Sequence, residues 1–157
     1  MGNPAYVAAL RLLARSELSE AQVRVRLARR GHDGPAIEAA LARLKSERSL
    51  DDRRAALAIA RAEAGRRGRG RRRVLQRLAA AGIADDIASR AIEDVFESID
   101  EDALLRAALD RRLRGATTVA GDRAFARLYR QLTGQGFDHG RVMALLKRLP
   151  RATDTGS

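Results

Sequence analysis

Apolar positions recur along this chain at helical spacing, and the same pattern occurs three times. Gly31, Gly82 and Gly136 stand 51 and 54 residues apart. Four positions before each lies a leucine (Leu27, Leu78, Leu132), and eight before lie Val23, Val74 and Leu128. Ten positions after come Leu41, Ile92 and Leu146, and thirteen after come Leu44, Val95 and Leu149. Residues three or four apart share a face of an α-helix, so each glycine separates two amphipathic helices. Repeats of this length signal stacked helical units. Val23-Arg24-Val25-Arg26-Leu27 alternates as a strand would. Ser19 with Gln22 forms a capping-box signature before it, Gly31 stops it, and the corresponding later stretches do not alternate. A helix is the reading common to all three.

Each pair has a helix before it. Pro4 opens the first, with Tyr6, Leu10 and Leu13 on one face. Gly34-Pro35 opens the third helix of that unit, with Ile37, Leu41 and Leu44 aligned. In the second unit the leading helix is expected over about 52–64, capped by Ser49 or Asp51; in the third, over about 101–113 after Asp100. The expectation is an all-α fold of three tandem three-helix repeats, at 4–48, 49–98 and 99–150. A unit of roughly fifty residues buries little surface alone. The repeats are therefore expected to stack into an elongated, curved body. Residues 114–121, with Gly115, Thr117 and Thr118, read as a flexible link, and 151–157 as a disordered tail after Pro150.

Composition narrows the core and excludes several chemistries. Only 3% of residues are aromatic and none is Trp, so Leu, Ala, Val and Ile must fill the interior. The absence of cysteine rules out disulfides and thiolate metal sites. Apolar runs are too short for a bilayer, and the N-terminus lacks a signal-peptide pattern, so a cytoplasmic location without membrane contact is expected.

Charge points outward. The net charge is +11, which calls for a polyanionic partner. Only Lys45 and Lys147 of the 31 basic residues are lysine. Genomic base composition explains arginine in place of lysine, but not the excess of bases over acids. Arg66, Arg67, Arg69, Arg71, Arg72 and Arg73 crowd six guanidiniums into eight residues, around Gly68 and Gly70, which are expected to keep the connection flexible. Guanidiniums so close repel one another, and each can pair bidentately with phosphate or carboxylate. Nucleic-acid backbone and an acidic protein surface both remain open. Arg24, Arg26, Arg29 and Arg30 form a second basic helix face.

No catalytic, cofactor-binding or metal-ligating residue is expected. His32 and His139 lie just beyond anchor glycines, in equivalent turns. Gly65–Gly70 lacks the Gly-Lys-Ser/Thr ending of a phosphate loop. Asp51-Asp52, Asp85-Asp86 and Asp100-Glu101-Asp102 fall at helix starts, where the dipole accounts for them. Phe96, Phe125, Tyr129 and Phe137 read as packing, with Phe137 filling the turn after Gly136.

Arg15-Ser16-Glu17, followed by Glu20, Val23, Leu27 and Gly31, resembles the opening unit of the RecX family. Leu50-Asp51-Asp52 with Ala55-Ala56 is similar to that family's "LDD…FA" signature. Gly70, Val74, Leu78 and Gly82-Ile83 are similar to its "G…I…L…GI", and Leu128, Leu132 and Gly136-Phe137 to its C-terminal "L…L…GF". The likeness spans about residues 5–149. Two features depart from it: Ala55 replaces the usual aromatic, and the link to the second unit's middle helix is unusually rich in arginine. The resemblance implies a regulator that binds the RecA recombinase and its filament on single-stranded DNA. It would inhibit filament growth, ATPase and strand exchange, and so restrain recombinational repair and the SOS response. It also implies no enzymatic activity and no cofactor; a monomer is the default. The alternative is a nonspecific basic helical nucleic-acid binder acting without RecA. The third helices offer few base-edge donors, since Ala39, Ala42, Ala91, Met143 and Ala144 dominate and only Arg43 and Arg90 depart from this.

Overall fold

The computed structural model describes residues 2–152, and these are all-helical apart from one isolated bridge between Val119 and Arg151. The elements are α1 (Pro4–Arg15), α2 (Glu20–Arg29), α3 (Gly34–Ser46), α4 (Asp52–Arg61), a π-helical turn (Ala62–Arg66), α5 (Arg71–Ala80), α6 (Asp85–Glu97), α7 (Glu101–Leu113), α8 (Gly121–Gly134) and α9 (His139–Lys147). The expected three-by-three order of helices is present. The remainder of the expected tail, 153–157, lies outside the described residues.

The helix boundaries follow from capping chemistry. Asn3, Asp33, Asp100 and Asp138 each accept a first-turn amide of α1, α3, α7 and α9. Ser19 and Gln22 form the reciprocal capping box of α2. Asp51 accepts the Arg53 amide at 2.9 Å and starts α4. Such caps satisfy amides that a helix start leaves without partners. The three anchor glycines adopt the left-handed backbone, with φ of +86°, +73° and +99°. The positions four and eight residues before each are buried, as are those ten after.

Two compact units emerge. One comprises the chain up to Ala60 with Gln76–Asp94, the other Arg61–Leu75 with the chain from Val95 onward. The division falls inside α4, α5 and α6, so the middle repeat supplies residues to both. In the first unit Ala5, Ala9, Leu12, Leu18, Val23, Leu27, Ile37, Leu41, Leu44 and Leu50 form a continuous core. The second packs Leu105, Leu109, Val119, Leu128, Leu132, Phe137, Val142 and Leu146, with Phe125 and Tyr129 against them.

Four expectations need correction. The buried face of α1 is Ala5, Ala9 and Leu12, while Leu10 is 38% exposed. Small alanines let α1 lie close to its neighbours, and this rotates Leu10 outward. The helix expected over 52–64 widens after Arg61 into the π turn, closed by the Arg67 amide on the Ala62 carbonyl at 3.2 Å. The wider turn leaves Glu63 and Ala64 both buried. The link 114–121 is pinned at its centre. Val119 is buried, and its amide donates to the Pro150 carbonyl at 3.0 Å. Arg151 and Ala152, assigned by the sequence to the tail, are held by the same pairing. The Ala152 amide donates to the Val119 carbonyl at 2.9 Å, and Arg151 pairs with Asp122 at 2.8 Å.

Candidate nucleic-acid interface

The arginine-rich stretch does not form a free loop. Arg66 ends the π turn, and Arg71, Arg72 and Arg73 open α5. Between them the backbone is tied down. The Arg69 amide donates to the Glu63 carbonyl at 2.9 Å, and the Gly70 amide to the Gln135 carbonyl at 2.9 Å. The Arg72 amide reaches the Gly136 carbonyl at 3.2 Å. A Cβ on Gly70 would stand 2.5 Å from the Gly136 carbonyl carbon. Gly70 therefore serves close backbone approach rather than the flexibility expected of it.

The six guanidiniums are dispersed accordingly. Arg67 pairs at 3.0 Å with Glu63, whose side chain is 7% exposed. Arg71 meets the Glu101 carboxylate and lies over the Phe96 ring, 5.0 Å from its centroid. Glu101 also takes Arg141 at 3.2 Å. Arg72 lies 2.7 Å from Nε2 of His139, whose Nδ1 is 2.7 Å from the Tyr129 hydroxyl. A guanidinium only donates, so Nε2 must accept and Nδ1 carries the proton toward Tyr129. Arg66 and Arg73 are exposed. Arg69 is half-buried, and its Nε has no hydrogen-bond partner among the described residues. The crowding expected from the sequence is relieved internally, by Glu63 and Glu101 and by turning the side chains apart.

The α2 face divides in two. Arg24 pairs with Glu20 at 3.1 Å and Glu38 at 2.8 Å. The hydrogen bond to Glu38 raises the Arg24 pKa and lowers that of Glu38. Arg29 and Arg30 instead join Arg15 and Arg26 around a notch of about 310 Å³, floored by Leu12 and Ser16, that no carboxylate lines. Arg15, which enters the sequence reading only through the family resemblance, joins this basic group in space.

A second carboxylate-free recess was missed altogether. Between the end of α7, the 114–120 segment and α8 lies a cleft of about 740 Å³, lined by Arg111, Arg112, Arg114 and Arg127 with Thr118, Gln131 and Gln135. Arg112 Nε donates to the Gln135 side chain at 3.1 Å. Arg111 lies against Gly68, its Nη2 only 2.7 Å from where a Cβ would stand. The Arg-Arg-Leu-Arg run at 111–114 was the available signal. It was easily passed over, because basic residues at a helix C-terminus need no other explanation. Among the described residues no His, Cys, Asp or Glu cluster could hold a metal, and no helix is long and apolar enough to cross a membrane.

Comparison with known proteins agrees with this architecture. The model for the first three-helix domain of RecX matches residues 5–44. The regulatory protein RecX of Halorhodospira halophila is 37% identical over 137 residues, 87% of this chain and 83% of that protein. That of Thermus thermophilus is 39% identical, covering 89% of this chain and 88% of its own. The crystal structure of RecX from Lactobacillus salivarius superposes with a TM-score of 0.67 at 20% identity, covering 92% of this chain and 94% of that one. A crystal structure of another regulatory protein RecX gives 0.71 at 21% identity, over 91% and 70% of the two chains.

Proposed function

We propose a function from one premise that these relatives establish: this chain belongs to the RecX family of regulatory proteins. It binds the RecA recombinase and its filament on single-stranded DNA in the cytoplasm. There it inhibits filament growth, ATP hydrolysis and strand exchange, and so restrains recombinational repair and the SOS response. It carries out no chemistry of its own; the nucleotide hydrolysed belongs to the recombinase.

The observation that carries this reading is the sorting of charge. Arg24, Arg54, Arg67, Arg71 and Arg141 are matched by carboxylates. Arg15, Arg26, Arg29 and Arg30, and separately Arg111, Arg112, Arg114 and Arg127, are gathered into recesses lined by none. A filament on DNA offers both phosphates and acidic protein surface to such recesses. Of the residues named from the sequence, Arg29 and Arg30 belong to one of these recesses and Arg66 is exposed, which supports their part in this contact.

The same recesses could serve a nucleic-acid binder acting alone, and stoichiometry separates the two readings. The test is ATP hydrolysis by a RecA filament on single-stranded DNA, with this protein well below the recombinase concentration. A strong fall in rate is expected. No fall until the DNA is saturated would assign the chain to the alternative.

A further inference from the structure

The cleft between α7 and α8 has a chemistry of its own. Four guanidiniums line it. The acids of this part of the molecule are engaged elsewhere: Glu101 with Arg71 and Arg141, Asp102 with Arg141, Asp122 with Arg151. Asp110 precedes Arg111 in sequence but does not line the cleft. Like charges brought together without counter-charge raise the energy of the empty state, and an anion relieves it. Arg114 holds a left-handed backbone, φ +50°, and Gly115 after it also has a positive φ, +87°. The fold thus keeps an arginine where glycine is easier.

The remaining lining selects among anions. Thr118, Gln131 and Gln135 offer neutral hydrogen-bonding groups, and the apolar lining is Ala108, Leu113, Val119, Ala120, Ala124 and Leu128. No aromatic side chain lines it, and Val119 and Leu128 are buried in the core beneath. A peptide normally anchors through large apolar or aromatic residues in pockets, and here Leu113 is the one large apolar lining residue that is partly exposed. A duplex presents its phosphates on a convex rod, whereas a flexible single strand can lay them into a concave recess. Arg127 and Gln131 stand one turn apart on α8, and Arg111 and Arg114 one turn apart at the end of α7, so each wall presents a basic group along the cleft.

We propose that this cleft, formed by Arg111, Arg112, Arg114 and Arg127, seats the phosphodiester backbone of single-stranded nucleic acid without reading its sequence. The assignment deepens the filament reading above by naming where the strand is held. Arg111 packs against Gly68, so the arginine-rich stretch borders the same strand. Binding depends on phosphate charge and falls steeply with salt.

The test is titration of a short fluorescent oligothymidylate into the full chain, followed by anisotropy across a salt series. Arg111→Gln/Arg127→Gln should bind about tenfold more weakly. Its slope of log K against log salt should flatten by about 0.7 for each phosphate no longer neutralised. Arg90→Gln, remote in sequence and paired with Asp94, removes one charge as Arg127→Gln alone does; it is the net-charge control for that single variant and should behave as the parent. Unchanged affinity and slope in the double variant would overturn the proposal, as would a weakening in the control equal to that of Arg127→Gln alone. Far-ultraviolet circular dichroism identifies a variant that has failed to fold; the milder Arg127→Gln alone then carries the same comparison. RecA ATPase inhibition is read in parallel. If the double variant inhibits less although the parent never binds oligothymidylate, the cleft holds an acidic protein segment and the proposal falls. If the double variant weakens oligothymidylate binding as expected but the parent does not inhibit RecA, the cleft stands and the filament reading fails.

Discussion

At Gly82 the turn between α5 and α6 receives the start of α2, and at Gly136 the turn between α8 and α9 receives the start of α5. The two junctions occupy equivalent places in the repeat. In the first, the Ser19 hydroxyl donates to the Ala81 carbonyl while its oxygen caps α2 by accepting the Gln22 amide at 3.1 Å. Ala21 fills the space over Gly82, its Cβ 2.4 Å from where a glycine Cβ would point. Asp52 accepts the Glu20 amide at 2.8 Å. In the second, Gly70 stands where Ser19 did and has no side chain. Its own amide donates to the Gln135 carbonyl, in the place of Ala81. The first junction is closed chiefly by side chains, the second by main-chain hydrogen bonds with Arg72 against His139 beside them. The difference also explains how α5 can begin with three arginines against its dipole. Its first amides find the Gln135 and Gly136 carbonyls, and Glu101 supplies the missing acid to Arg71.

The largest effect is expected where main chain meets main chain. A Gly136→Ala methyl would stand 2.4 Å from the Arg73 nitrogen at a φ of +99°. Neither neighbour can withdraw, so the cost should be about 4 kcal/mol in urea denaturation. A cost near that of an ordinary surface substitution would dissolve the distinction between the junctions. Gly82→Ala should cost less, about 2–3 kcal/mol, because its obstacle is the Ala21 side chain. Adding Ala21→Gly should recover about 1 kcal/mol in a double-mutant cycle. Additive costs would show that the methyl groups do not meet. Ser19→Ala removes a cap and strands the Ala81 carbonyl, at about 2 kcal/mol; thermal melts showing no change would remove the hydroxyl from the first junction.

The smallest effect lies away from both. The Tyr6 hydroxyl, 2.6 Å from Glu47, and then the Arg43 guanidinium hold the Glu47 carboxyl below its ordinary value of 4.5. Ionised Glu47 therefore favours the folded chain above that value. The contribution disappears as pH falls through the lowered pKa. Tyr6→Phe removes the first of these two causes, so it should shrink the acid limb of the stability profile and leave both junctions intact. An unchanged acid limb would show that this exposed cluster contributes nothing.

Much of the fold was legible because its signals are local. Glycine anchors, acidic caps and the Ser19–Gln22 box act within a few residues and were read correctly. The π turn was not, because no residue pattern within 62–66 distinguishes it from a continuing α-helix. Nor was the outward rotation of Leu10, which follows from alanines closing against neighbouring helices. For the candidate interface the sequence named the basic stretches but not their division. Arg67 meets Glu63 at the local four-residue spacing, but Arg71 meets Glu101 from α7, thirty residues on. The cleft at Arg111 and Arg127 was invisible, since its walls come from two helices and a link that read as flexible.

By itself the sequence determined that this chain is helical, repeats three times and carries more positive charge than its own acids can neutralise. Spacing, caps and composition are properties of neighbouring residues and need no partner in space. Which arginines gather away from acids was decided only by tertiary structure. An ion pair between elements depends on distance in space, and the fold brings Glu38 to Arg24, Glu17 to Arg54 and Glu101 to Arg71 while leaving two recesses with no carboxylate.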